Sequence, residues 1–458
     1  MPSHTLARRL RLRLRLLLLL ALLALPALPA LPAGAQAAPD TTRTTRTTEY
    51  RNARWFDGVT FTTGSRFVRN GLFVTRPRQP ADSVVPMQGR FVVPPYADAH
   101  THSPDARFNF ATIRDMYLRG GVFYVQVLGN SRAGRREILA EVNTPAGLDA
   151  VFANTPITAY GGHPQLLYES LGLFRMPFPA EPAQRLQAAR SRAREGDVYL
   201  TLDSLPQLPA LVRRLRRDTV PILKLMLLDT EHRRTIATDS TAAGSYGLAT
   251  EVVRPLVDSA HAMGRRVWAH VETAYDAQLA MDGGIDGLAH VPGYGAGSAA
   301  DSTLDRYRLS EALARRIGRS GIPVVTTIGL ARGGARDTAA QRRVRTVFEA
   351  NIRLLQRFGA RLITGSDTYS DADIIVRDAT ALNEVLRGDA ASLLRLRAVT
   401  TPQAIFPGRR IGVLRPGYEA SFLILGCNPL ARESCLLDIQ ERFKQGVQLR
   451  VPPAPPPG

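Results

Sequence analysis

Two histidines one residue apart, in Asp98-Ala99-His100-Thr101-His102, are the first residues whose types and spacing suggest chemistry. On a β-strand, alternate side chains share a face, so both imidazoles can approach one metal ion from the same side. The remaining histidines strengthen that reading. Of the eight in the chain, His100, His102, His163, His270 and His290 all close short apolar runs; only His4, His232 and His261 fall elsewhere. Asp367 ends Leu362-Ile363-Thr364-Gly365-Ser366-Asp367, which brings a carboxylate to the lip of another apolar run. Each residue alone has a plainer reading, a hydrogen-bonded core histidine or a helix-capping aspartate. Their shared placement is what points to a metal site.

The cations add a second clue. Lysine and arginine together number 59, and only Lys224 and Lys444 are lysine. Lys224 lies inside Pro221-Ile222-Leu223-Lys224-Leu225-Met226-Leu227-Leu228. A charged amine in such a run is costly unless it is paired or modified. Burial lowers its pKa, and a neutral amine can add carbon dioxide to form a carbamate. The cation would then become a two-oxygen ligand able to bridge metals. Arginine stays protonated and cannot do this. The alternative is a lysine paired with a buried carboxylate. Lys444, in a polar C-terminal segment, reads as a generic surface cation.

These residues need a scaffold that brings strand ends together. The chain has 458 residues, enough for two to four domains or for one large barrel with an appendage. Hydrophobic residues make up 45% and charged residues 22%, which excludes a disordered or fibrous chain. Eight β-rich runs are predicted: Phe91–Ala97, Val122–Leu128, Ile157–Tyr160, Pro221–Leu228, Arg266–His270, Asp286–Val291, Pro323–Ile328 and Arg361–Thr364. Between them, Pro206–Arg217, Thr250–Met263, Leu309–Arg319 and Arg342–Phe358 carry apolar residues at helical spacing. Alternating strands and helices imply parallel strands, and eight units imply an α/β fold of the closed (β/α)8 TIM-barrel type. An open doubly wound sheet is the alternative, but no Gly-rich phosphate loop follows the first strand. In such barrels the active site lies at the C-terminal strand ends, where the histidines fall. The two flanks instead read as antiparallel β, from the Asn70-Gly71 turn on one side and the run Ala420–Leu425 on the other. They are expected to join in one small composite β-sandwich. The predicted layout is β-sandwich at 49–93 and 409–450 around a barrel at 94–408.

The formal charge of +19 does not indicate nucleic acid, because five arginines sit in the first fifteen residues and the rest are dispersed. Those five precede an apolar core at 16–25 and a small-x-small signature, Ala35-Gln36-Ala37. This is the layout of a cleaved signal peptide, 1–37, followed by a disordered lead-in at 38–48. The protein is therefore expected in the periplasm or secreted, without stable membrane insertion. A Pro-rich tail occupies 451–458. Cys427 and Cys435 could bridge across a loop or remain two thiols; two cysteines alone do not make a zinc site.

The order His100-x-His102, Lys224, His270, His290, Asp367 resembles the binuclear, carboxylated-lysine branch of the amidohydrolase superfamily, especially imidazolonepropionase-related and Xaa-Pro dipeptidase-like enzymes. Val93-Pro94-Pro95-Tyr96-Ala97-Asp98-Ala99-His100-Thr101-His102 is similar to the family's first-strand motif. Thr401-Pro402-Gln403-Ala404, Gly412–Ala420 and Asn428-Pro429-Leu430 are similar to its C-terminal signature. Ser421 stands where the family usually has Asp, and Gly121–Gln126 departs from its Thr-rich second strand.

The resemblance implies two divalent ions, zinc above all, with iron or manganese as alternatives. His100, His102 and Asp367 would hold one, His270 and His290 the other, and carboxylated Lys224 with a hydroxide would bridge them. That hydroxide would attack an amide, peptide or cyclic-amide bond of a small-molecule substrate, with Asp367 as general base and acid. His163 and His232 are candidates for substrate binding. A mononuclear deaminase-type enzyme and a catalytically silent barrel acting as a binding protein are the rival readings; the oligomeric state stays open.

Overall fold

The structure, a computed structural model, describes residues 46–153, 155–177, 179–239, 242–294, 304–332, 339–369 and 372–453. The expected signal peptide, most of the expected lead-in and the end of the tail lie outside the described residues.

Both flanks of the chain meet in one sheet. The N-terminal flank supplies β1 (Thr48–Phe56), β2 (Phe61–Arg69), β3 (Leu72–Val74), β4 (Ser83–Pro86) and β5 (Phe91–Val93). The C-terminal flank supplies β16 (Phe422–Leu425), β17 (Ile439–Lys444) and β18 (Val447–Gln448). Their order is β18-β17-β16-β5-β1-β2-β3, with β4 also paired to β1, so the strands form one continuous sheet rather than two separate ones. Its core is aromatic: Tyr50, Trp55, Phe73, Phe422 and Phe443 are all buried together. Tyr50 meets Phe422 edge-on with ring centroids 5.1 Å apart, a favourable aromatic geometry. Cys427 and Cys435 are joined in a disulfide beside this sheet.

Between the flanks all strands pair in parallel. β6 (Tyr96–Thr101), β7 (Val122–Val127) and β8 (Asp149–Phe152) form a three-stranded sheet. A seven-stranded sheet has the order β10-β9-β11-β12-β13-β14-β15. Its members are β9 (Ile157–Thr158), β10 (Leu200–Thr201), β11 (Ile222–Leu227), β12 (Arg266–Val271), β13 (Gly287–Leu288), β14 (Pro323–Val325) and β15 (Arg361–Ile363). The end of β15 reaches β6 through Ala99 N–H to Thr364 O at 3.0 Å and a parallel bridge between Thr101 and Thr368. No closed sheet forms among the described residues.

Helices alternate with these strands. They include α1 (Arg107–Arg119), α2 (Leu208–Leu215), α3 (Thr250–His261), α4 (Ala274–Gly283), α5 (Glu311–Ser320), α6 (Ala339–Arg357) and α7 (Ala372–Val385). Thr273 and Asp276 form a capping box at the start of α4, each side chain satisfying a backbone N–H of the first turn.

Two expectations need correction. The run Phe91–Ala97 is not one strand. Pro94 and Pro95 lack the N–H a ladder needs, so Val93 pairs with Leu423 in the outer sheet while Tyr96 begins the parallel sheet against Val122. The short strands β8 and β10 lie outside the eight predicted runs, because four and two residues carry too little periodicity to register.

Candidate metal centre

His100 lies within β6, His102 just past it, His270 near the end of β12, His290 just past β13, and Asp367 past β15. The structure brings them to one place. His100 Nε2 is 3.2 Å and His102 Nε2 3.0 Å from Asp367 Oδ1, and His290 Nε2 is 3.9 Å from Asp367 Oδ2. The His270 and His290 rings meet at 4.5 Å between centroids. His100 and His290 are 4.7 Å apart.

The outer nitrogens are held by oxygen acceptors. His100 Nδ1 faces Ala289 O at 3.1 Å, and His102 Nδ1 faces Gly129 O at 2.9 Å. His290 Nδ1 faces Thr327 Oγ1 at 3.0 Å; that hydroxyl donates to Thr326 O, so it accepts from the imidazole. A carbonyl can only accept, so each of these Nδ1 atoms donates, and in a neutral ring Nε2 then keeps its lone pair. Two such Nε2 atoms and Asp367 Oδ1 then converge, with all three ligand atoms within 4.8 Å of one another. Three lone-pair atoms at this distance repel unless a proton or a metal ion lies among them, and imidazole plus carboxylate suits zinc, iron or manganese.

Lys224 is 2% exposed in β11, and its Nζ lies 3.3 Å from His100 Nε2. Among the described residues no carboxylate lies within ion-pair distance of it. Burial lowers its pKa to about 8, against a smaller opposing pull from Asp367. Burial likewise lowers His270 to about 3, helped by Lys224, and holds His100 and His290 well below the ordinary range. Burial pushes Asp367 upward, but His100, His102 and Lys224 outweigh it and keep it ionised.

Strand ends are locked closely here. Gly365 on the Asp367 segment passes so near β6 that an added Cβ would lie 2.7 Å from His100 N, closer than any side chain allows. Asp367 itself has φ +52°, and its N–H donates to His100 O at 2.6 Å. A non-glycine residue in this region is strained and is kept there by its surroundings.

The two substrate-binding candidates separate. His163 sits on the His270 side, ring centroids 5.6 Å apart, and burial lowers it to about 3. His232 is exposed and pairs with Asp229 at 2.9 Å; among the described residues it makes no contact with the histidine cluster.

Several residues around the centre escaped the sequence reading. Glu272 approaches His270 Nε2 at 3.3 Å, and burial raises it to about 8. Its spacing of two from His270 was a usable signal, since both then share a strand face. Asp98, two before His100, accepts from Ser366 Oγ at 2.6 Å, Ser366 N–H at 3.0 Å and His100 N–H at 3.1 Å. Tyr294 stacks on His290 and Tyr369 on His102, with centroids 3.6 and 5.0 Å apart. Neither tyrosine is marked by any local pattern.

No protein-family model matches the sequence, and no curated protein matches it. Solved structures do match. An amidohydrolase is similar over 88% of this chain and 98% of its own, at 18% identity and a TM-score of 0.66. A prolidase complexed with n-methylphosphonate-L-proline is similar over 89% of this chain and 100% of its own, at 16% identity and a TM-score of 0.64. An A. niger ochratoxinase is similar over 88% and 95%, at 15% identity and a TM-score of 0.64. The chain shares the fold of these solved structures, which include an amidohydrolase, a prolidase and a Xaa-Pro dipeptidase.

Proposed function

We propose that the protein is an exported, metal-dependent hydrolase of amide, peptide or cyclic-amide C–N bonds in small molecules, with a binuclear centre. In this reading the two parallel sheets are arcs of one (β/α)8 barrel whose C-terminal rim carries the site. The observation that supports it most is the convergence of two Nε2 lone pairs and a carboxylate oxygen on one point, with each outer nitrogen already committed to a carbonyl. The names of the matched structures, an amidohydrolase and a prolidase among them, favour C–N bond hydrolysis.

His100, His102 and Asp367 would hold one ion, and His270 and His290 the other. Lys224, whose neutral fraction near neutral pH rises as burial lowers its pKa to about 8, is suited to join them as a carbamate. Its amine forms one N–C bond to carbon dioxide and loses one proton, leaving a carboxylate. Divalent ions bound here would acidify a coordinated water and polarise the scissile carbonyl. Asp367 then takes a proton from the attacking water and delivers it to the departing nitrogen, as a positioned base and acid. Its pinned backbone limits how far that carboxylate can stray. His163 and Glu272, both beside His270, would orient substrate. The 1–37 segment serves export, and no helix among the described residues is long and apolar enough to cross a membrane.

A mononuclear centre has one observation in its favour. Among the described residues, only His100, His102 and Asp367 form a three-donor group of histidine and carboxylate atoms. Reconstitution with zinc and bicarbonate separates the readings: two zinc ions per chain, with hydrolysis in a panel of dipeptides, N-acyl amino acids, lactones and cyclic ureides, is expected. One ion per chain would favour the mononuclear form, and well under one would end the metallohydrolase reading.

A further inference from the structure

Two buried aspartates do the same job at two different pairs of strand ends. Asp378 is 0% exposed and lies well inside α7, so it is no helix cap. Its Oδ1 accepts the Gly329 N–H at 3.0 Å and its Oδ2 accepts the Gly365 N–H at 2.9 Å. These amides follow β14 and β15. One carboxylate therefore ties two neighbouring strand ends together. Gly329 is held so close that an added Cβ would lie 2.9 Å from the Asp378 backbone.

Asp276 repeats the arrangement on α4. It is 0% exposed and caps its own helix through Thr273. It also reaches beyond the cap: Oδ1 accepts from Thr230 N–H at 3.0 Å and Oδ2 from Asp229 N–H at 3.1 Å, both past the end of β11. Oδ2 further accepts the Thr273 N–H at 3.0 Å, past β12. In each case the helix after one strand grips that strand's end and the end of the strand before it.

Three of the gripped segments also carry a non-glycine residue at positive φ. Asp229 has φ +43°, Thr327 +50° and Asp367 +52°. Thr327 lies two residues before Gly329, and Asp367 two after Gly365. Residues in this region are strained and persist only where neighbouring bonds over-determine them. Thr327 holds His290 by its hydroxyl, and Asp367 meets His100 and His102. We infer that Asp378 and Asp276 are positioning residues for the metal centre: Asp378 sets Asp367 and, through Thr327, His290, while Asp276 sets the ends of the strands that carry Lys224 and His270.

This rests on the metal reading of the centre, so the test has an arm that does not. In wild-type protein, amide exchange at Asp229, Thr230, Gly329 and Gly365 should be as slow as in the strands. Exchange at the rate of exposed loops would overturn the proposal whether or not the protein binds metal. In the second arm, Asp378→Asn and Asp276→Asn place an amide NH2 against a backbone N–H. Both variants should bind zinc about 10–100-fold more weakly in competition with a chelator, the usual effect of losing an outer support. Their cobalt-substituted forms should show altered visible spectra. Lower melting temperature with unchanged zinc affinity and cobalt spectra would leave both aspartates merely structural. If wild-type protein takes up neither metal, the metal reading fails, and the exchange arm still decides whether the strand ends are pinned.

Discussion

The two lysines of this arginine-rich chain occupy contrasting surroundings. Lys444, at the end of β17, is 0% exposed, and its Nζ donates to Thr144 O, Gly147 O and Asp149 Oδ1, each at 2.6 Å. All three protons of an ammonium are used, one of them on a carboxylate. Asp149 is further paired with Arg409 at 2.8 Å, and Arg409 with Glu419 at the same distance. Lys224, buried almost as completely, meets only an imidazole nitrogen among the described residues. Burial pushes both amines down, but at Lys444 Asp149 opposes it at contact distance. The difference teaches that burial alone does not make a lysine reactive. An amine with a single imidazole contact is free to take up carbon dioxide, and one with three oxygen acceptors is committed to holding β17 against β8.

That contrast breaks most visibly at Lys444. Lys444→Met should destabilise the fold by about 3–5 kcal/mol, because it leaves the Asp149 carboxylate buried with one partner fewer. Urea denaturation would measure it. A loss below about 1 kcal/mol would mean that the three short contacts contribute little, and that Lys444 is as generic as its polar sequence suggests. The expectation that it is a surface cation is already corrected by its burial. It could not be read locally, because its acceptors lie 295 to 300 residues away in the chain. The centre was more legible for the opposite reason. Histidine and lysine are rare here, and a period-two spacing or a strand-end position is visible within a few residues. What stayed hidden were Tyr294, Tyr369, Asp276 and Asp378, ordinary types whose importance comes only from what the fold sets beside them.

The next largest effect belongs to Lys224→Arg. Arginine keeps a charge in the β11 position and cannot form a carbamate. The variant should fold, hold no more than one zinc ion and lose at least about 100-fold in turnover, as expected when metal binding is impaired. Retained stoichiometry and turnover would refute the carbamate. In wild-type protein stripped of metal, bicarbonate should speed zinc uptake more strongly as pH rises toward about 8, since the neutral amine fraction grows with pH. Lys224→Arg should show no such dependence.

The disulfide sharpens the same division between scaffold and centre. Cys427 and Cys435 are separated by eight residues just before β17. Cys435→Ser should cost about 2–3 kcal/mol by the loop-entropy argument, visible as a lower melting temperature. Zinc content should not change, because neither cysteine touches the histidine cluster among the described residues. A fall in zinc content at unchanged secondary structure would show that the outer sheet and the centre are coupled.

The smallest expected effect is the most informative, because it applies to Lys224 the substitution that is severe at Lys444. Lys224→Met removes an amine with no carboxylate to strand, and the thioether is close to it in volume. The buried amine costs desolvation that a single contact to His100 does not offset. Replacing such a group by an apolar one is often neutral or stabilising. Measured on metal-free protein, the variant should therefore unfold within about 1 kcal/mol of wild type, or slightly above it, while losing its second metal as Lys224→Arg does. A loss of about 3 kcal/mol or more in the metal-free state would mean that Lys224 holds the parallel strands together as Lys444 holds β17. The chain would then have spent both of its lysines on structure, and the bridging ligand would have to come from another residue.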